Sequence, residues 1–91
     1  MEMENSISVF IGVATEEKVQ TAEIIKSVLQ VNGVKSAWEL TGALDLLILA
    51  SSASVRQLNV VVEAVRACPG VRETTTYLVL DSHGDARART G

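Results

Sequence analysis

Val31-Asn32-Gly33-Val34-Lys35 returns 37 positions later as Cys68-Pro69-Gly70-Val71-Arg72. The match runs outward at the same offset: the apolar run 7–13 falls on 44–50, and the helix-like stretch 17–31 falls on 54–68. Stacked repeats need three or more copies to bury a continuous core, so two copies describe one domain built from two similar halves.

Each half reads as strand, helix, strand. Residues 7–14, ISVFIGVA, are β-branched and aromatic, and Thr15-Glu16-Glu17 then offers a helix cap with acids in the first turn. From 16 to 31, Val19, Ala22, Ile25 and Leu29 recur at helical spacing, and Gly33 supplies the left-handed residue that ends helices. Residues 34–41 alternate as a strand, Gly42-Ala43 makes a tight turn, and 44–50 form the next strand. Ser54 caps a second helix carrying Leu58, Val61, Val62 and Val65, Pro69-Gly70 ends it, and 71–80 form a last strand.

Two such units with right-handed crossovers give an α+β, ferredoxin-like βαββαβ sandwich: a four-stranded antiparallel sheet with both helices on one face. The first and third strands are apolar on both sides, with Phe10, Leu47 and Leu49 opposite Val9, Ile11, Leu46 and Ile48. Strands apolar on both sides are covered on both sides, which predicts two sheets packed face to face in a homodimer. The domain is expected over 5–82, followed by a flexible tail over 83–91.

Composition narrows the function. A chain of 91 residues holds one small core, and 47% apolar content is high for a lone domain, in keeping with a subunit interface. A formal charge of −3 lacks the electrostatic footprint of a nucleic-acid binder. Cys68 is the single cysteine, so no intrachain disulfide forms, and the first residues, MEMEN, lack the character of a signal peptide, which points to the cytoplasm. No apolar stretch is long enough to cross a bilayer, and neither helix carries a basic face to lie on one.

No catalytic signature, metal site or cofactor motif stands out. His83, the only histidine, reads as an exposed tail residue, Cys68 as a buried structural thiol, and Trp38 as a core or interface residue. Thr41-Gly42-Ala43-Leu44-Asp45 has two readings. One is an ordinary hairpin turn with a solvated acid; the other is a loop that holds a zwitterion, its N–H groups on a carboxylate and Asp45 on an ammonium. Glu73-Thr74-Thr75-Thr76 adds hydroxyls, although threonine is also a good strand residue.

Gly33-Val34, Thr41-Gly42-Ala43-Leu44-Asp45-Leu46, Cys68-Pro69-Gly70-Val71 and Thr74-Thr75-Thr76-Tyr77-Leu78-Val79-Leu80, in this order, resemble the effector-binding (RAM) domain of the Lrp/AsnC, or feast/famine, regulators. The resemblance implies a domain that binds a free amino acid or similar small effector at contacts between dimers, assembles into octamers or larger rings, and modulates transcription. It implies effector contacts from Gly42, Ala43, Leu44, Asp45, Thr74 and Thr76. The regulators carry an amino-terminal helix-turn-helix, and only six residues precede the first strand here, so the expectation is a stand-alone, non-enzymatic sensor that does not bind DNA itself and co-assembles with a full-length regulator. The residue before the hairpin acid is often aromatic in the family and is Leu44 here, which leaves the effector open. Two alternatives stand beside this: a small dimeric enzyme akin to the sirohaem decarboxylases, whose histidines this chain scarcely supplies, and a purely structural oligomerisation module.

Overall fold

The computed structural model describes residues 6–81, 83 and 84. The predicted order holds: β1 (Ile7–Thr15), α1 (Thr21–Leu29), β2 (Val34–Glu39), β3 (Leu46–Ser52), α2 (Val55–Arg66) and β4 (Val71–Leu78). The four strands form one antiparallel sheet in the order β2-β3-β1-β4, the ferredoxin-like arrangement. Strand alternation sends Val9, Ile11 and Val13 of β1 and Leu46, Ile48 and Ala50 of β3 to the helix side. There they pack with Ile24 and Val28 of α1 and Leu58, Val61 and Val65 of α2. Burying one such branched side chain contributes roughly 1.5–3 kcal/mol, so these few residues carry the hydrophobic stabilisation of the chain.

The sequence repeat is an internal two-fold. Ile11 and Ile48, 37 positions apart, face one another across the β1–β3 ladder, so the axis passes between them. Both helices end at matching positions, Leu29 and Arg66, and each is followed by a glycine at positive φ: Gly33 at 102° and Gly70 at 94°. A Cβ on Gly33 would lie 2.7 Å from Val61, and one on Gly70 would lie 2.7 Å from Ile24 and 2.9 Å from Val19. Val61 and Ile24 are themselves repeat mates, so each glycine lets one half's chain close onto the other half's helix.

The symmetry breaks by a slip. Val34 pairs with Ala50, but its mate Val71 pairs with Thr15 rather than with Val13, the mate of Ala50. Two residues is an even step of about 7 Å, which preserves which side chains face the core. The backbone bonds follow the slip: Gly33 C=O accepts from Ser51 N–H at 3.0 Å, and Gly70 C=O accepts from Glu16 N–H at 2.8 Å. Both outer ladders also shift register by one residue at the same repeat position, leaving Lys35 as the extra residue of β2 and Arg72 as that of β4.

Three expected boundaries differ. The first helix starts at Thr21, not near Glu16, because Thr15 stays in β1 and residues 16–20 form a turn in which Val19 N–H donates to Glu16 C=O at 3.3 Å. The β2–β3 connection is a loop over 40–45 rather than a two-residue turn: Leu40 N–H donates to Asp45 C=O and Asp45 N–H to Val13 C=O, both at 2.9 Å. Leu44 and Asp45 therefore precede β3. The last strand ends at Leu78, although Val79 N–H still donates to Ser8 C=O at 3.2 Å.

Trp38 is not a core residue. It is 45% exposed on the sheet face away from the helices, which it shares with Phe10, Leu47, Leu49 and Tyr77. Cys68 is half-buried; its thiol donates to Ala64 C=O at 3.5 Å, and burial pushes its pKa up. His83 is exposed beside Asp81, and Ser82 and residues 85–91 of the expected tail lie outside the described residues.

Candidate functional site

The end of β1 is where chemistry-bearing side chains gather. Asp45, carried in by the 40–45 loop, accepts a hydrogen bond from Thr15 N–H through Oδ2 at 2.9 Å. A strand whose ladder has just shifted register needs a partner for its next amide, and a half-buried carboxylate supplies a strong one. Asp45 is thus neither a freely solvated hairpin acid nor a wholly uncommitted ligand group: one oxygen holds the fold and the other has no bond to a described residue.

Around this contact lies a polar depression of about 500 Å³ lined by Thr15, Glu16, Glu17, Lys18, Asp45 and Arg72. The lining comes from three places in the chain: the turn after β1, the end of the β2–β3 loop, and the start of β4. Arg72 also makes a long contact of 3.7 Å with Glu73, with both side chains more than half exposed, an ion pair of small worth. Mixed charge in one hollow suits a ligand that carries both signs.

The other expected contacts lie elsewhere within one chain. Gly42 has φ 126° and nothing near the position of a Cβ, so backbone geometry alone asks for glycine there, and Ala43 is exposed beside it. Leu44 folds back over the sheet, its Cδ1 2.6 Å from where a Cβ on Gly12 would be, and fills the space that glycine leaves. Thr74 and Thr76 pair with Val13 and Ile11 and so face the helix side. Thr76 lines a separate, apolar groove of about 620 Å³ between α2 and β4, with Val55, Leu58, Val62 and Leu78.

Lys18 and Arg72 escape a reading of the sequence alone. The repeated cation after Gly-Val, Lys35 and Arg72, marks the two register shifts, but only the slip of β4 brings Arg72 to Asp45. Among the described residues there is no group of three metal-ligating side chains, and no helix is long and apolar enough to cross a membrane.

The family model for the Lrp/AsnC ligand binding domain matches residues 8–88. Homocitrate synthase of Saccharolobus solfataricus is 35% identical over 74 residues, which is 81% of this chain and 16% of the synthase. The HTH-type transcriptional regulator LysM of Sulfurisphaera tokodaii is 30% identical over 79 residues, 87% of this chain and 56% of the regulator. The chain therefore spans little more than half of one of these relatives and a small fraction of the other. Among solved structures, a feast or famine regulatory protein from M. tuberculosis complexed with L-methionine superposes with a TM-score of 0.73 at 21% identity, over 88% of this chain and 54% of that one, a likeness of fold.

Proposed function

The chain belongs to the Lrp/AsnC ligand-binding-domain family, and from that premise we propose that it is a non-enzymatic sensor that binds a free amino acid or similar small effector and modulates transcription through assembly. The observation that carries this reading is the Asp45 carboxylate, fixed by the Thr15 amide at the edge of a mixed-charge depression. An anchored carboxylate beside cations offers a small zwitterion opposite charges without further ordering of the chain.

The relatives support a portable module. A segment similar to this chain makes up 16% of a homocitrate synthase and 56% of an HTH-type transcriptional regulator, which supports a module joined to different partners. A protein of the same fold is seen with L-methionine. Gly42, Ala43, Leu44, Asp45, Thr74 and Thr76 remain the proposed effector contacts. Their dispersal within one chain supports a ligand held between subunits, where the loop tip of one copy meets the strand of another.

The sheet face bearing Phe10, Trp38, Leu47, Leu49 and Tyr77 supports the face-to-face homodimer, since an apolar patch of this kind favours burial against a second copy. Such dimers are the proposed units of an octamer or larger ring in the cytoplasm, with a full-length Lrp/AsnC regulator as the further partner. The test is a thermal-melting panel against each free amino acid, with light scattering to read assembly. A ligand specific for the folded state adds about 2.7 kcal/mol at one hundred times its dissociation constant. A rise with one or a few amino acids is the expected result, and no rise with any of them overturns the proposal.

A further inference from the structure

We propose that the depression at the end of β1 is a zwitterion clamp in which Arg72 and Lys18 hold the effector's α-carboxylate while Asp45 accepts hydrogen bonds from its α-ammonium group. This rests on the reading of the chain as an amino-acid sensor and assigns the part of the site that recognises the ligand's backbone.

The charges are already sorted. Asp45 keeps one oxygen on the Thr15 amide, which fixes the plane of the carboxylate and leaves its other oxygen to a ligand. Glu16 and Glu17 also line the hollow, so a ligand's carboxylate is repelled from the turn after β1 except at Lys18 and is drawn toward Arg72. A guanidinium offers paired N–H donors that match a carboxylate, and an ammonium beside it adds a second positive charge. The present partner of Arg72, Glu73, is long and solvent-exposed and is readily given up.

The internal two-fold supplies a control within the same molecule. The mate of Arg72 is Lys35, also the extra residue at a register shift, but the mate of Asp45 is Ser8, and the mates of Thr15 and Lys18 are Ser52 and Val55. The repeat mates of the six lining residues thus keep one cation and no carboxylate. The clamp therefore takes one ligand per chain and requires both the carboxylate and the ammonium.

The test uses the full chain. The amino acid that raises the melting temperature most is compared with its carboxamide and its N-acetyl derivative, on wild type, Arg72→Gln, Lys18→Gln and, as a matched charge loss on α2, Arg66→Gln. The expected result is that both derivatives fail on wild type, that Arg72→Gln and Lys18→Gln each weaken binding by about ten-fold or more, the loss of one charge-assisted hydrogen bond, and that Arg66→Gln binds as wild type. Arg72 is exposed, so the melting temperature without ligand reports whether the variant is folded. Equal binding by folded Arg72→Gln, or an equal response to the carboxamide, overturns the clamp while leaving the sensor intact. No response of wild type to any free amino acid overturns the sensor and the clamp together.

Discussion

After β3 the chain reaches α2 through residues 53 and 54 alone, and Ser54 Oγ accepts from Gln57 N–H at 3.1 Å to cap the new helix. After β1, 37 positions earlier, it takes the five residues 16–20 to reach α1, whose N-cap Gln20 makes no side-chain hydrogen bond. The helix ends show the opposite: glycines at positive φ, register shifts and matched packing on Ile24 and Val61 repeat in both halves. Helix ends are where each half closes onto the other, so packing holds them alike. The start of α1 is freed from that constraint, and the polar depression occupies the place where a second capped helix start would otherwise be.

If packing enforces the likeness of the helix ends, substituting their glycines has the largest effect. Gly70→Ala and Gly33→Ala each force a side chain to φ near 100°, costing about 1–2 kcal/mol, and overpack the facing helix by about 1–3 kcal/mol. Gly70→Ala is the worse of the two, because three atoms of Ile24 and Val19 lie within 2.9 Å of its Cβ, whereas Gly33 meets only one atom of Val61 that closely. Urea unfolding orders them; a larger loss at Gly33 would break the comparison.

The helix starts are sharpened by a smaller pair. Ser54→Ala removes a working cap and is expected to cost about 1 kcal/mol, whereas Gln20→Ala costs a few tenths at most. Equal losses in thermal unfolding would mean that the two starts are held alike after all.

Cys68 gives the smallest effect. Its half-buried thiol is expected to react with iodoacetamide at neutral pH more slowly than a free cysteine, since burial raises its pKa and lowers the thiolate fraction. The folded state then holds its proton to higher pH than the unfolded one, so stability declines slightly as pH rises through the ordinary thiol range. A rate matching that of free cysteine would remove Cys68 from the packed end of α2.

Legibility followed the same division. Element order, the end of each helix and the glycines are local, carried by spacing and by residues with one conformational use. The start of α1 was not legible, because Thr15-Glu16-Glu17 has the composition of a cap while its amide is claimed by an acid 30 residues away. Leu44 and Asp45 extend an apolar run and resemble strand residues, yet Leu44 serves Gly12 and Asp45 serves Thr15, both distant in sequence. Asp45 could be put forward as a candidate ligand group from its turn, a role that is proposed here. Arg72 and Lys18 could not, since a two-residue slip between strands leaves no mark on either strand alone.

The strand order β2-β3-β1-β4 means that every ladder joins the first half of the chain to the second. β1 lies between the two strands of the other half, and β2 touches its own half's β1 nowhere along the sheet. A lone half has a helix and two strands that are not neighbours in the sheet, so its strands gain their ladder bonds only from the other half. Contacts such as Ile11 with Ile48 close long loops, so folding is expected to be cooperative across both halves and slower than that of a helical bundle of this length.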